Sequence, residues 1–292
     1  MKFTQEFICD LADKISMPDI YQKIRNLMGN PQAKIEDYEK LIKTDSMLSI
    51  RIMRIANSEF FGFNRQAKDL YEAINLIGII QLHDLLLSSL CMRTFYNIPE
   101  HLLNFDDFWR YSVKCGIASR RIARLCRLPA NNRYFSLGLL LNIGHALMFI
   151  KAPDLTLTAM QQSQNLNQPI AEVEREYFGF DYCQLGVELM RLWHLPEVYQ
   201  QVIGHHLSPE QSQADFRTAT EIVHCAYRFC EQANGNMLNV HRLSETNQLF
   251  SQFPENFAET ISNDIKNNTD TVLEMLRPPH ASNAKLNNQE IW

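Results

Sequence analysis

The chain is short of the two residues that punctuate backbone structure: its 292 residues include 10 Gly and 11 Pro, against roughly 20 and 15 for average usage. That shortage excludes collagen-like and Pro/Gly-rich low-complexity classes, and it favours helices joined by few tight turns. A disulfide framework is missing too. The seven cysteines are odd in number and contain no CxxC pair, which fits reduced thiols in the cytoplasm. There is no excess of positive charge. A net charge of -5 and an isoelectric point of about 6.0 argue against a general nucleic-acid coat, because phosphate neutralisation supplies most non-specific affinity. No GxxxxGKS/T, GxGxxG or GxSxG occurs, so nucleotide-loop and serine-hydrolase readings lack local support. Glu6 and Asp10 stand where a secretory apolar core would lie, so no signal peptide is expected. The longest uncharged run, Tyr134–Ile150, is interrupted by Asn142 and His145 and is a little short for a span. A buried helix is expected there rather than a membrane helix.

What is present is apolar periodicity of the helical kind throughout, with 46% hydrophobic and 21% charged residues, enough chain for one large or two modest domains. The pattern predicts helices after Pro18, through Tyr38–Ile42, over Ser46–Ala56, and as one long element through Leu70, Ile74, Leu85 and Leu90. Asn97–Glu100 is the best boundary between an N-terminal and a central half. Asp106 or Asp107 is then placed to cap a helix running to about Leu128. Further helices are predicted over Phe135–Ile150, Pro169–Phe178, Asp181–Trp193, Pro196–His206 and Thr218 to about Gln232. The chain turns polar after Gly235, with one amphipathic segment around Phe257–Leu276 and a solvated tail beyond Pro279.

The helix starting near Trp109 sorts cleanly on a wheel. Tyr111, Cys115, Ala118, Ile122, Leu125 and Cys126 share one arc, so Tyr111 points inward. Arg110, Lys114, Arg121 and Arg124 share the other, with Arg120 and Arg127 beside them. No Asp or Glu occurs from Phe108 to Pro153. This basic arc either meets a phosphate ligand or acidic partner, or pairs with distant acids such as Glu172, Glu174 and Glu176.

Nine histidines invite a metal reading. His205 and His206 are adjacent, diverge by about 100° on a helix, and need ligands from elsewhere to close a site. The plainer expectation puts both in the last turn of their helix, where imidazole suits the negative dipole end. His83-Asp84 reads as a surface or helix-face pair with no neighbouring histidine to complete a ligand set. His145, His194 and His224 read as single core or rim histidines. Cys225 beside His224 does not make a thiolate–imidazole pair, since sequence adjacency on a helix supplies no hydrogen bond between them.

Several ordered segments together resemble the HDOD family, helical signalling domains of bacteria related to the HD phosphohydrolases. The most distinctive is LIKTDSMLSIRIMRIANSEFFGF (Leu41–Phe63), followed by AINLIGIIQLHDLLL, then FWRYS (Phe108–Ser112), LGLLLNIG (Leu137–Gly144), EREYFGFDYCQLGVELMRLWHLPE (Glu174–Glu197) and IGHH (Ile203–His206). The likeness covers about Ile15 to Phe229. Ser46 replaces the proline of the family's Asp-Pro, and a helix start there is still expected.

The resemblance implies an all-α fold of two packed helical subdomains: residues 1–100 as the N-terminal half, 101–235 as a degenerate HD-like half, and 236–292 as a C-terminal extension and tail. It also locates the metal ligands of active HD enzymes. Carried over, the first His becomes Tyr111, the His-Asp pair becomes Leu141-Asn142, the His after the GFD turn becomes Tyr182, and the late Asp falls near Tyr227. Only His205 and His206 remain. Leucine cannot ligate, tyrosine is a poor ligand at neutral pH, and asparagine offers a neutral carbonyl.

The expected function is therefore non-enzymatic signalling or regulation by binding a partner or small ligand, without cofactor or metal, in the cytoplasm and away from membranes. Partner or phosphate-ligand binding is assigned to Arg110, Lys114, Arg121 and Arg124. No receiver, GGDEF or EAL motif accompanies the domain, so links to two-component or cyclic-dinucleotide components are expected in trans. The competing reading is a divergent phosphohydrolase with a site rebuilt around His205, His206 and His145 or His224. Nucleic-acid binding by the basic helix is a weaker third.

Overall fold

The computed structural model describes residues 2–11, 15–95, 104–129, 131–232 and 253–278, and among these no strand occurs. The predicted boundary at Asn97–Glu100, the polar stretch after Gly235 and the tail beyond Pro279 lie outside the described residues. In chain order the helices are α1 (Lys2–Cys9), α2 (Asp19–Met28), α3 (Ile35–Ile42), α4 (Ser46–Ala56), α5 (Leu70–Ile77), α6 (Ile79–Thr94) and α7 (Phe105–Leu125). They continue with α8 (Asn131–Leu140), α9 (Ile143–Lys151), α10 (Pro153–Leu166), α11 (Ile170–Phe178), α12 (Tyr182–Leu192), α13 (Glu197–His205), α14 (Ala214–Gln232) and α15 (Phe257–Leu276).

Side-chain caps set several starts. Asp45 accepts from Leu48 N–H and Asp69 from Glu72 N–H, opening α4 and α5; Ser46 thus begins α4 without the family's proline. At α12, Asp181 and Gln184 form a reciprocal capping box. The cap of α7 is Asn104, whose side chain accepts from Asp107 N–H, rather than Asp106 or Asp107. Asparagine one turn earlier satisfies the same orphan donors and leaves both aspartates in the first turn, favourable to the dipole.

Two predicted long helices are broken. The element through Leu70 and Leu90 divides at Gly78, whose φ of 78° lies in the left-handed region that costs other residues about 1–2 kcal/mol, and α5 and α6 meet at 105°. Apolar periodicity runs through Leu76-Ile77-Gly78-Ile79 without a gap, which is why it reads as continuous. Phe135–Ile150 divides at Leu141-Asn142 into α8 and α9. By length and composition, Asn132–Lys151 is apolar enough to cross a membrane, with 78% of its window buried inside the protein; α5 and α6 pass the same test only if taken together. A further helix, α10, opens on Pro153 at its first turn.

The chain forms two compact units: residues 1–16 with 98–269, and residues 17–97 with 270–292. In the first unit, α7 and α8 pack along each other and α14 lies against both. The first sixteen residues belong here rather than with the half that follows them in sequence. Phe7 sets its ring edge-on to Phe178 and Phe180, and the buried Trp193 indole donates to Ile15 O at 2.8 Å. In the second unit Tyr21, Ile24, Ile42, Ile52 and Ile74 form the core. That core also buries His83 and Asp84, 4% and 1% exposed, where a surface or helix-face pair was expected. The pair is not left unsatisfied: His83 Nδ1 lies 3.2 Å from Asp84 Oδ1, and Tyr21 Oη 2.8 Å from His83 Nε2. The carboxylate takes the Nδ1 proton, so the Tyr21 hydroxyl donates to Nε2.

Candidate functional site

The positions that would carry HD-type ligands gather in the first unit around the start of α12 and the end of α13. Tyr182, the first residue of α12, is fully buried, and its hydroxyl donates to His206 Nε2 at 2.9 Å. The tautomer follows from the other ring nitrogen. His206 Nδ1 is 2.9 Å from Ile203 O; a carbonyl only accepts, so Nδ1 carries the proton and the Nε2 lone pair receives the tyrosine. Tyr227 sets its ring edge-on to His206 at 5.3 Å.

Around the Tyr182–His206 pair stand the single histidines. The His145 ring stacks on Tyr182 at 4.0 Å, with its Nε2 2.8 Å from Glu174 Oε1. The other oxygen of the buried Glu174 accepts Tyr182 N–H, also at 2.8 Å. His224 Nδ1 donates to His206 O at 2.6 Å. Gly144, in the first turn of α9, lets that helix touch the α12 backbone: a Cβ there would lie 1.9 Å from Tyr182 O. Leu141 and Asn142 are buried in the turn just before it. Tyr111 is half-buried, where the wheel has it pointing inward, and donates to Glu231 Oε1 at 2.8 Å.

Burial disfavours charge on His206, His224 and the tyrosines. Burial pushes the His206 imidazolium down to about 4, aided by repulsion from His224 and His145. Burial likewise raises the hydroxyls of Tyr182, Tyr227 and Tyr111 above the usual tyrosine range, and lowers His224. The residues therefore do not fit the metal that the HD relationship implies. A ligand histidine must present a lone pair, and the Nε2 lone pair of His206 is taken by Tyr182. His205 is half-buried as the last residue of α13, as the helix-end reading expects. Among the described residues no group of three or more His, Cys, Asp or Glu side chains comes together to hold a metal.

Sequence reasoning treated Glu174 as one possible partner of the arginines and missed its pairing with His145. The signal was available. In α11 Ala171 is buried and Glu174 stands three residues on, on the same stripe and 1% exposed; a carboxylate there needs a partner inside.

The basic arc of α7 is real but uneven. Arg124 is exposed, and Arg110, Lys114 and Arg121 are half-buried. Arg121 Nε meets Asp264 Oδ2 of α15 at 3.4 Å, a partly exposed pair worth about 1 kcal/mol at most. Arg120, expected beside the arc, is instead buried, with its Nε donating to Asn132 Oδ1 at 2.8 Å. A wheel computed from one helix cannot see the neighbour, α8, that covers this position. Leu125 and Cys126, placed on the inward arc, are half-buried at the helix end. All seven cysteines are free thiols.

The HDOD domain profile matches residues 15–209, two thirds of the chain. The protein belongs to the HDOD family, related to the HD phosphohydrolases. A crystal structure of an HDOD domain protein of unknown function from Geobacter sulfurreducens superposes with a TM-score of 0.70 at 17% identity, covering 94% of this chain and 95% of that one. A Shewanella amazonensis protein provisionally named a phosphohydrolase gives 0.70 at 16%, covering 90% and 98%. At these identities the likeness shows the fold. An uncharacterised Treponema pallidum protein is 24% identical over 216 residues, 70% of this chain and 41% of that protein, so the chain spans well under half the length of this relative.

Proposed function

We propose that this HDOD protein is a non-enzymatic signalling or regulatory protein of the cytoplasm, acting by binding a partner protein or small ligand. The observation that carries the reading is the buried Tyr182–His206 hydrogen bond: the retained histidine spends its lone pair on a tyrosine that stands at a former ligand position. Reviving a metal site there would require breaking the buried Tyr182–His206 hydrogen bond as well as supplying ligands at Leu141 and Asn142. The α7 face supports a partner surface, since among the described residues neither Lys114 nor Arg124 has an ion pair.

Metal analysis of the purified protein with a phosphodiesterase assay tests it. No stoichiometric transition metal and no turnover are expected. One metal per chain with hydrolysis abolished by His205→Ala would overturn it. A pull-down from the native cell with an Arg121→Glu/Arg124→Glu control tests the face: a protein held by wild type is expected to be lost from the control.

A further inference from the structure

The second unit holds a charged concavity that neither the HD comparison nor the basic arc touches. On α4, Met47, Ile50, Arg51 and Arg54 fall at i, i+3, i+4 and i+7 and so share one helix face. Facing them at the end of α15 are Glu274, Arg277 and Pro278, enclosing a cavity of about 240 Å³. Arg51 is 6% exposed, and charges so buried are almost always paired with an opposite charge. Here both acceptors are neutral: Nη1 donates to Ser89 Oγ, and Nη2 to Arg277 O at 3.0 Å.

The nearby carboxylates are committed elsewhere. Asp45 caps α4 through Oδ1 and receives Arg93 Nη1 on Oδ2 at 2.8 Å. Glu274 meets Arg277 at 3.6 Å, with its side chain 66% exposed. Among the described residues, the charges acting on Arg51 are the guanidiniums of Arg93 and Arg54 and one carboxylate, Asp45, already bonded on both oxygens. Burial, with repulsion from Arg93 and Arg54 that the attraction of Asp45 only partly offsets, brings the Arg51 guanidinium down to about 10. An anion in the cavity would relieve both effects.

We infer that this cavity binds the phosphate group of a small phosphorylated molecule, held by Arg51, Arg54 and Arg277. Three guanidiniums approaching from two helices suit a tetrahedral dianion with oxygens in several directions better than a carboxylate, which one planar fork satisfies. The volume is below the roughly 300–1,000 Å³ of pockets that enclose a whole drug-sized ligand, so the charged group enters and the rest stays outside. At the rim, Met47 and Ile50 are 40% and 47% exposed, an apolar shelf against which a base or other flat apolar portion would lie. The inference stands apart from the proposed loss of metal chemistry, since no residue is shared with that site.

Titration calorimetry of the full chain with ADP, inorganic pyrophosphate and adenosine, in phosphate-free buffer, tests it. Saturable one-to-one binding of ADP and pyrophosphate is expected, weakening with salt, with none for adenosine. Arg54 is exposed, so Arg54→Glu should keep the fold, checked by circular dichroism, and weaken binding at least about tenfold, as loss of one charge-assisted contact implies. Arg277→Gln, which keeps the backbone carbonyl that Arg51 uses, should weaken it similarly. Absence of saturable binding by both phosphorylated probes, or unchanged affinity in both variants, would overturn the inference. Binding of polyglutamate with no binding of either probe would assign the cavity to an acidic protein segment and overturn it equally.

Discussion

Mild acid should destabilise this protein through His206, by an amount that follows from its surroundings. The unfolded chain takes up a proton on this imidazole near 6.5, whereas the native state resists until about 4. Between those values the unfolded state binds more protons, so stability is fully present above the unfolded pKa and is lost as pH falls toward the folded one. The complete gap, from 6.5 to about 4, corresponds to roughly 3 kcal/mol at 1.36 kcal/mol per pH unit. Lowering the pH from about 7.5 to about 5 covers part of it, about 2 kcal/mol by the linkage relation. Urea unfolding of wild type and His206→Gln across this range isolates the contribution, because other titrating groups, His224 among them, act in both proteins. The wild type should lose about 2 kcal/mol more than the variant. Parallel stability curves, or an imidazole resonance of His206 titrating near its ordinary value in the native state, would refute the reasoning.

Two further predictions concern packing. Gly144→Ala places a methyl 1.9 Å from Tyr182 O; a backbone atom cannot swing aside, so α9 and α12 must part, at a cost of about 3 kcal/mol or more by analogy with overpacked cores. A thermal midpoint within a degree or two of wild type would count against the close approach. Tyr21→Phe removes the donor to the buried His83 Nε2 and should cost about 1–3 kcal/mol, the penalty of an unsatisfied buried acceptor. Equal stability of variant and wild type by urea melt would show that water or another group replaces the hydroxyl.

Helix existence was largely legible because the signals are local. The Asp181-Gln184 box and the apolar spacing of α12 lie within one stretch of chain, as do the proline starts of α11 and α13. The errors have one physical root, which is that tertiary neighbours decide what a single helix cannot. Gly78 turns an unbroken apolar run through 105°, and Asn132 draws Arg120 into the interior. His83-Asp84 has the sequence look of a polar helix face, yet Tyr21, 62 residues away, makes its burial affordable. The candidate site shows the same division. Family resemblance located Tyr182 and His206, but the pairing of Glu174 with His145 spans 29 residues and leaves only the weak trace of an acid on an apolar stripe.

The survival of His205 and His206 looks, in sequence, like the remains of a metal site. The geometry separates residue from role. A histidine ligand needs one nitrogen fixed by a second-shell acceptor and the other open to the metal. His206 keeps the first half of that arrangement in its bond to Ile203 O, and a tyrosine hydroxyl fills the second. On the HD correspondence proposed for Tyr182, its hydroxyl supplies a proton where a metal would accept electrons, so the imidazole is satisfied without any ion. Restoring histidine at position 182 alone would place two imidazoles against each other, with Leu141 still unable to ligate. The substitutions therefore support one another as a set. A buried histidine that is fully hydrogen-bonded and neutral is explained by the fold, whereas the buried Arg51, charged and facing only neutral acceptors, is not. That contrast is why the search for a ligand in this protein belongs at α4 and the end of α15.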